Sequence, residues 1–350
     1  MLPNDVVESL SRAARSAIKD PGRITTVRAD VKDHPRFELF HAAISFCSQK
    51  VRAVLAEKGV SYISNDMDIL TLKSPTGEVI SAENYHPDYV RLRLHGGESL
   101  ARPLVSAYTG TTSVETEGFD ACVVPLLVDH EKGRVVVDSF RICTYIDDQI
   151  PGPTRLMPRD PTSSQRVAAQ VEIVDRMPNG RYLYGFHPDD DRRPEALKQV
   201  MADIYDHKIV ALENHIRDNS QDSGLVAAYR SKIAKEAGGK AVQHDADFQR
   251  QGRARAVSAL SDLHRQLRSH GDQWVCGPDF TLADVLWGTQ LFRFHYLGLE
   301  SLWSDLPALT GYTERLYSRP SIRREVIAAS LANFPPSMYT SGMERIVHAA

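Results

Sequence analysis

The feature that most limits the fold is a change of character near residue 160. Before it, strand-like and helix-like segments alternate; beyond Asp160 every patterned segment reads as helix or connecting loop. Pro151, Pro153 and Pro158 punctuate the junction. The chain is therefore expected to form an α/β unit followed by an all-α unit. With 350 residues, each unit is long enough to bury a core of its own.

On the α/β side a first strand is expected at Arg36–His41, entered through Pro35. A helix follows, with Val51, Val54 and Leu55 on its apolar face and Gly59 as its stop. A strand over Tyr62–Ile69 and a short helix over Pro87–Leu94 come next. His95 to Asp120 is rich in Gly, Ser and Thr, lacks sustained periodicity and reads as a long loop. Val123–Val128 and Arg134–Val137 form a hairpin around a turn at Asp129–Gly133, and a helix starts at Ser139 with Ile142, Cys143, Tyr145 and Ile146. The expected division is an N-terminal extension over 1–34, an α/β domain over 35–150 with a long insert at 95–120, and an all-helical domain over 159–350. In the extension Val6, Val7, Leu10, Ala14 and Ile18 recur near helical spacing. In the helical domain Val167, Val171 and Val174 mark one apolar face, and Val257, Leu260, Leu263 and Leu267 another. Thr281 is expected to cap a helix, with Asp284 answering and Phe280 stapling against Val285.

Composition removes several classes of function. A formal net charge of −3 argues against a dedicated nucleic-acid binder. No run of eighteen apolar residues is present, so no membrane span is expected. Cys47, Cys122, Cys143 and Cys276 are far apart and form no CxxC pair, which speaks against structural zinc and against a disulfide framework. Free thiols in the reducing cytoplasm are expected, with Cys122, Cys143 and Cys276 as structural residues. His187 with Asp189, Asp190 and Asp191 has no ligand spacing of a known metal site and reads as a solvated turn, and His207 and His215 lie too far apart to share an ion, so no metal is expected. Tyr182, Tyr184 and Tyr229 are open to two readings, as walls of an aromatic pocket or as core.

Three short segments carry chemistry. Ser45-Phe46-Cys47-Ser48 lies between the first strand and the first helix, where free N–H groups and the helix dipole favour an anion. A thiol there has its thiolate stabilised relative to an ordinary pKa of about 8.5. Lys50 and Arg52 add positive charge, and Ser45 can donate a hydrogen bond to a second sulfur. Cys47 can equally be a small buried residue at a helix start. Val124-Pro125-Leu126 places a proline at the opening of an otherwise Val/Leu strand, where it removes a ladder donor. Asp138-Ser139 opens a helix with an acceptor and a hydroxyl, which suits an α-amino-acid group and also suits simple capping.

Taken in order, RFELFHAAISFCSQKVRAVLAEKGV, VVPLLVD, VDSFRICTYIDD and FTLADVLW resemble the glutathione transferase superfamily. The Ser-x-Cys-Ser form is shared by zeta-class maleylacetoacetate isomerases and by reductive dehalogenases of tetrachlorohydroquinone and related chlorinated hydroquinones. NYHPDYVRLR followed by VVPLL, together with GFHPDDDRRPEALKQVM and AYRSKIAKE, looks closer to the dehalogenases. The likeness runs from about Pro35 to the C-terminus.

The resemblance implies a thioredoxin-like N-terminal domain followed by an all-α C-terminal domain, with glutathione as co-substrate. A cis peptide before Pro125 would let Val124 pair with the cysteinyl backbone of glutathione, and Asp138 and Ser139 would hold its γ-glutamyl end. Ser45 would hydrogen-bond the glutathione thiolate, which displaces halide from a halogenated hydroquinone or halophenol. Cys47 would then take glutathione from the ring as a mixed disulfide. A homodimer is implied as well. A transferase that conjugates an electrophile or cleaves an aryl ether would not need Cys47. A zeta-type cis–trans isomerase is less favoured, because Phe46 stands where isomerases have a second serine. A non-catalytic module of the same fold would have little need of all three segments. The insert at 95–120 is expected to act as a lid.

Overall fold

A computed structural model of the chain describes residues 3–28, 35–111, 113–152, 155–271 and 273–348. Pro153 of the expected linker, residues 1–2 and 29–34 of the expected extension, and Thr112 of the insert lie outside the described residues.

The α/β half runs α1 (Pro3–Ala14), β1 (Ile24–Val27), β2 (Phe37–His41), α2 (Phe46–Glu57), β3 (Tyr62–Asp66), β4 (Leu72–Lys73), β5 (Val79–Ile80), α3 (Pro87–Gly97), α4 (Val114–Glu117), β6 (Leu126–Asp129), β7 (Arg134–Val137) and α5 (Ser139–Gln149). The main sheet has the order β1-β3-β2-β6-β7, with β2 parallel to β3 and antiparallel to β6. β2 is buried along its whole length, so its two polar residues must find partners inside. His41 bonds Ser64 Oγ at 2.7 Å, and burial lowers its pKa.

Glu38 explains why residues 3–28 do not behave as an appended extension. Its carboxylate accepts from Ser11 and Arg15 of the N-terminal segment, from Asn65 of β3, and pairs with His130 at 2.9 Å. Burial pushes its pKa up, but the bonds from His130, Arg15 and Ser11 prevail and hold it at about 2. Val7, Ala14 and Ile18 are buried as the helical spacing predicts. β1 then adds an antiparallel edge strand to β3, which the sequence pattern did not reveal.

Several boundaries shift for identifiable reasons. β3 stops at Asp66 rather than Ile69, because the chain turns away after Met67 N–H bonds His41 O. The small hairpin β4–β5 follows and packs on the helical half. The strand expected from Val123 begins at Leu126, the first residue after Pro125 with a pairing partner. α3 continues through Gly96 and Gly97, one turn into the expected loop. A Cβ at Gly97 would lie 2.4 Å from the Phe119 ring, so this glycine permits close packing rather than ending the helix. The insert is also not wholly irregular, since it contains the single turn of α4.

The helical half comprises α6 (Pro161–Asp175), α7 (Asn179–Tyr184), α8 (Glu195–Ala202), α9 (Ile204–Asp218), α10 (Ser223–Val242), α11 (Ala246–His270), α12 (Leu282–Tyr296) and α13 (Pro307–Ser318), followed by short helical turns to His348. α12 is buried almost throughout and packs on both α2 and α6, joining the two halves. Its cap forms as expected: Asp284 accepts from Thr281 N at 2.8 Å and from Thr281 Oγ1 at 2.9 Å. The same carboxylate also accepts from Val275 N and Tyr312 Oη, so it ties three segments together. Val167, Val171 and Val174 are buried, but Val257 is 42% exposed. The inward line of α11 is Ala256, Leu260, Leu263 and Leu267, and Val257 sits one position off it. Among the described residues no helix is long and apolar enough to cross a membrane.

Candidate active site

A cavity between the two halves is lined by Ser45, Cys47, Val124, Pro125, Asp138 and Ser139, so these six candidate residues from three separate segments meet in one place. They arrive at three junctions where a turn enters a helix or strand. Ser45 caps α2: its Oγ accepts from Ser48 N at 3.3 Å, leaving its O–H proton able to donate outward. Cys47 is the second residue of α2, among N–H groups the helix leaves unused, and its side chain is half-buried.

The Val124–Pro125 peptide is cis. The segment leading to it lies outside the sheet ladder, so its buried carbonyls need other donors. Asn84 Nδ2 donates to Cys122 O at 2.7 Å and Tyr89 Oη to Val123 O at 2.7 Å. Arg93 donates to Asp120 O at 2.9 Å and to Pro125 O at 2.6 Å. Side chains of α3 and the turn before it thereby hold the backbone that Val124 presents. Asp138 has φ +76°, a left-handed value costly for a side-chain-bearing residue, and its carboxylate caps α5 by accepting from Arg141 N at 3.1 Å. Burial raises its pKa.

The cations expected from the sequence are not the ones in the cavity. Lys50 lies 3.9 Å from Asp175 and over the Phe46 ring. Arg52 bonds Glu325 and the carbonyls of Ala42 and Ala43. Both serve packing between α2 and its surroundings. The cavity is instead lined by Arg293 of α12, which donates to Ile44 O at 2.8 Å, one residue before Ser45. Nothing local marks Arg293 in advance, because it sits in a run that otherwise reads as an apolar helix face.

The insert, α9 and α10 contribute a second set of charges. Asp120 pairs with Lys232 at 2.8 Å and Lys235 at 3.3 Å, and Lys235 reaches Glu117 at 2.7 Å. Glu236 pairs with Lys232 at 2.7 Å and Lys208 at 3.2 Å. All six groups are buried. Burial pushes the Asp120 and Glu236 carboxyls up, but the neighbouring ammonium groups outweigh it; Asp120 lies below the usual carboxylate range and Glu236 at about 2. Ser113, Val114, Glu117, Gly118 and Asp120 all line the cavity. In this arrangement the insert forms a wall of the cavity, held against α10 by these buried ion pairs. Gly180 N donates to Gly110 O at 2.7 Å, and a Cβ on Gly180 would come within 3.0 Å of that oxygen, so glycine permits the contact.

Of the three tyrosines, only Tyr184 lines the cavity. Tyr182 and Tyr229 are buried and donate to Gly252 O and Tyr85 O. None of the four cysteines is in a disulfide; burial pushes the thiols of Cys122 and Cys143 up, and that of Cys276 to about 12. His187 Nδ1 accepts from the backbone of Asp189 and Asp190, and Asp189, Asp190 and Asp191 pair with Arg250, Arg192 and Arg193.

A thioredoxin-like sheet, a cis-proline, a serine–cysteine helix start and an all-helical second half define the class. The family models for the glutathione S-transferase N-terminal and C-terminal domains match residues 44–149 and 239–315. The chain is 39% identical to a 2,5-dichlorohydroquinone reductive dechlorinase of Sphingobium indicum over 97% of both proteins. It is 25% identical to a tetrachloro-p-hydroquinone reductive dehalogenase of Sphingobium chlorophenolicum, over 82% of this chain and 94% of that one. Among solved structures, a beta-etherase from Sphingobium sp. strain SYK-6 shares the fold with a TM-score of 0.53 at 17% identity, covering 84% of this chain and 99% of its own. The chain belongs to the glutathione transferase family.

Proposed function

We propose that this protein is a glutathione-dependent reductive dehalogenase of a halogenated hydroquinone or halophenol. The observation that carries the reading is the placement of Cys47 beside Ser45 in one cavity wall, together with a similarity to 2,5-dichlorohydroquinone reductive dechlorinase that extends over nearly the whole chain. A conjugating enzyme has use for the serine and none for the thiol.

Glutathione fits this wall group by group. The backbone of Val124 pairs with its cysteinyl portion. Its α-ammonium relieves the buried Asp138 carboxylate, and its α-carboxylate takes the Ser139 hydroxyl and the N-terminus of α5. Ser45 donates to the sulfur and favours the thiolate. The thiolate attacks the halogen-bearing carbon of the dienone tautomer and halide departs, leaving a ring thioether. The Cys47 sulfur then attacks the glutathione sulfur. An S–S bond forms, the C–S bond breaks, and the ring carbon takes its electron pair and a proton. A second glutathione reduces the mixed disulfide and leaves as oxidised glutathione. One halide and one oxidised glutathione appear per ring reduced. The reaction consumes reduced glutathione, which places it in the cytoplasm, and we take the working form to be a homodimer, testable by light scattering.

The test measures halide, oxidised glutathione and ring products for wild type and Cys47→Ser with a dihalogenated hydroquinone. The variant is expected to release the first halide, accumulate the glutathionyl ring, and lose reduced-ring formation by on the order of a thousandfold or more, the scale of removing a nucleophile. Equal product distributions for the two enzymes refute the role of Cys47.

A further inference from the structure

Arg293 is 4% exposed, lines the cavity, and has no carboxylate partner among the described residues. The other strongly buried cations of the cavity wall each have a carboxylate partner or two carbonyl acceptors. Lys208, Lys232 and Lys235 sit in the carboxylate network, and Arg93, also without a carboxylate partner among the described residues, donates to two carbonyls that hold the Val124–Pro125 segment. Among the described residues Arg293 makes one hydrogen bond, to Ile44 O, and otherwise lies over the faces of Phe334 at 4.9 Å and Phe46 at 5.9 Å. Ring faces and one carbonyl do not offset the cost of removing a guanidinium from water. Accordingly, burial lowers its pKa to about 10, despite the nearby Tyr296, Tyr184 and Cys47 side chains. A guanidinium has five N–H donors, and this one has several left to give.

We propose that Arg293 is the substrate-recognition residue of this site, binding the ionised ring oxygen of a phenolate or hydroquinone monoanion beside the glutathione sulfur. This assignment rests on the dehalogenase reading and narrows it: the ring must carry an ionisable hydroxyl, and neutral haloarenes are poor ligands. The bond to Ile44 O ties the guanidinium to the turn that carries Ser45, so the phenolate oxygen and the glutathione sulfur are registered against each other. Phe46 and Phe334 flank the guanidinium and offer the apolar surface a halogenated ring needs. Electrostatically, the anion closes a charge balance that the protein leaves open.

The test is a binding measurement that requires no turnover. Glutathione-loaded wild type is titrated with para-nitrophenol, at a pH where it is ionised, and with para-nitrotoluene, its neutral near-isostere. Arg293→Lys and Arg293→Gln are titrated in parallel, and glutathione affinity is measured by calorimetry for all three. Wild type is expected to prefer the phenolate by on the order of ten- to a hundredfold, the range of a charge-assisted hydrogen bond. Arg293→Lys should keep part of that preference and Arg293→Gln should lose it, with glutathione affinity unchanged. Equal binding of the two probes to wild type overturns the proposal, and this comparison needs no variant to fold. A phenolate preference that survives Arg293→Gln also overturns it and moves the anion to the lysine network. Parallel loss of glutathione affinity reassigns Arg293 to glutathione. Failure of the dehalogenase reading has a different signature: phenolate is bound as expected while halohydroquinone releases no halide.

Discussion

The wall that carries Ser45, Cys47, Val124, Pro125, Asp138 and Ser139 and the wall formed by the insert, α9 and α10 enclose the same cavity but are built by different physics. The first is made of chain junctions: a helix cap, a proline opening a strand, a second helix cap. Its polar groups are backbone amides and short side chains; the two helix caps act three residues away, while Asn84, Tyr89 and Arg93 hold the strand-opening segment. The second is made of long charged side chains brought together from Glu117 and Asp120 on one side and Lys208, Lys232, Lys235 and Glu236 on the other. A junction site can lose one group and keep its shape. A buried ion network cannot, because removing one charge leaves its partner uncompensated. The lesson is that chemistry and architecture are separable in this cavity, and each can be broken without the other.

The sharpest break is in the ion network. Lys232→Met leaves Asp120 and Glu236 short of a partner and is expected to cost about 3–5 kcal/mol of unfolding free energy in urea. Where the variant remains folded, calorimetric glutathione affinity should stay close to wild type. A stability loss under about 1 kcal/mol would show that the insert is not fastened by these charges.

A smaller effect tests the same principle outside the cavity. Glu38 ties the N-terminal segment to β2, and its folded pKa of about 2 lies below the ordinary value of 4.5. Its contribution is present at neutral pH and is lost as pH falls through the window from 4.5 towards 2. The shift corresponds to about 3 kcal/mol. His130 runs the opposite way: hydrogen bonding to Glu38 raises its pKa, so its contribution is present below about 6.5 and fades as pH rises through the raised value. Denaturation across pH should therefore show an acid limb that flattens in Glu38→Gln, with the alkaline change flattening alongside it. An unchanged acid limb would place the pH dependence elsewhere.

The smallest stability effect belongs to the junction wall. Ser45→Ala removes one cap and should cost only about 1 kcal/mol. Its consequence is chemical: the pH at which enzyme-bound glutathione ionises, followed by thiolate absorbance, should rise. A variant that is badly destabilised while the bound thiol titrates as before would invert the contrast between the two walls.

The junction wall was legible in the sequence because cap and turn chemistry is local. Ser45, Asp138 and Thr281 act on amides three residues away, and Pro125 constrains its own peptide. The apolar faces of α1 and α6 were legible for the same reason of short period, whereas α11 was misassigned by one position at Val257. Glu38, Lys232 and Arg293 were silent, since each acquires its role from partners brought to it only by the packed chain. Ser11 and His130 lie 27 and 92 positions from Glu38, Asp120 lies 112 from Lys232, and Ile44 lies 249 from Arg293. A buried charge has no periodic signature; it is tolerable only where the fold supplies a counter-charge, and that is decided by tertiary structure. The sequence alone thus determined the two-part architecture and the thiol-bearing junctions. Tertiary structure decided which charges surround them, and left Arg293 facing the cavity with a carbonyl but no carboxylate partner among the described residues.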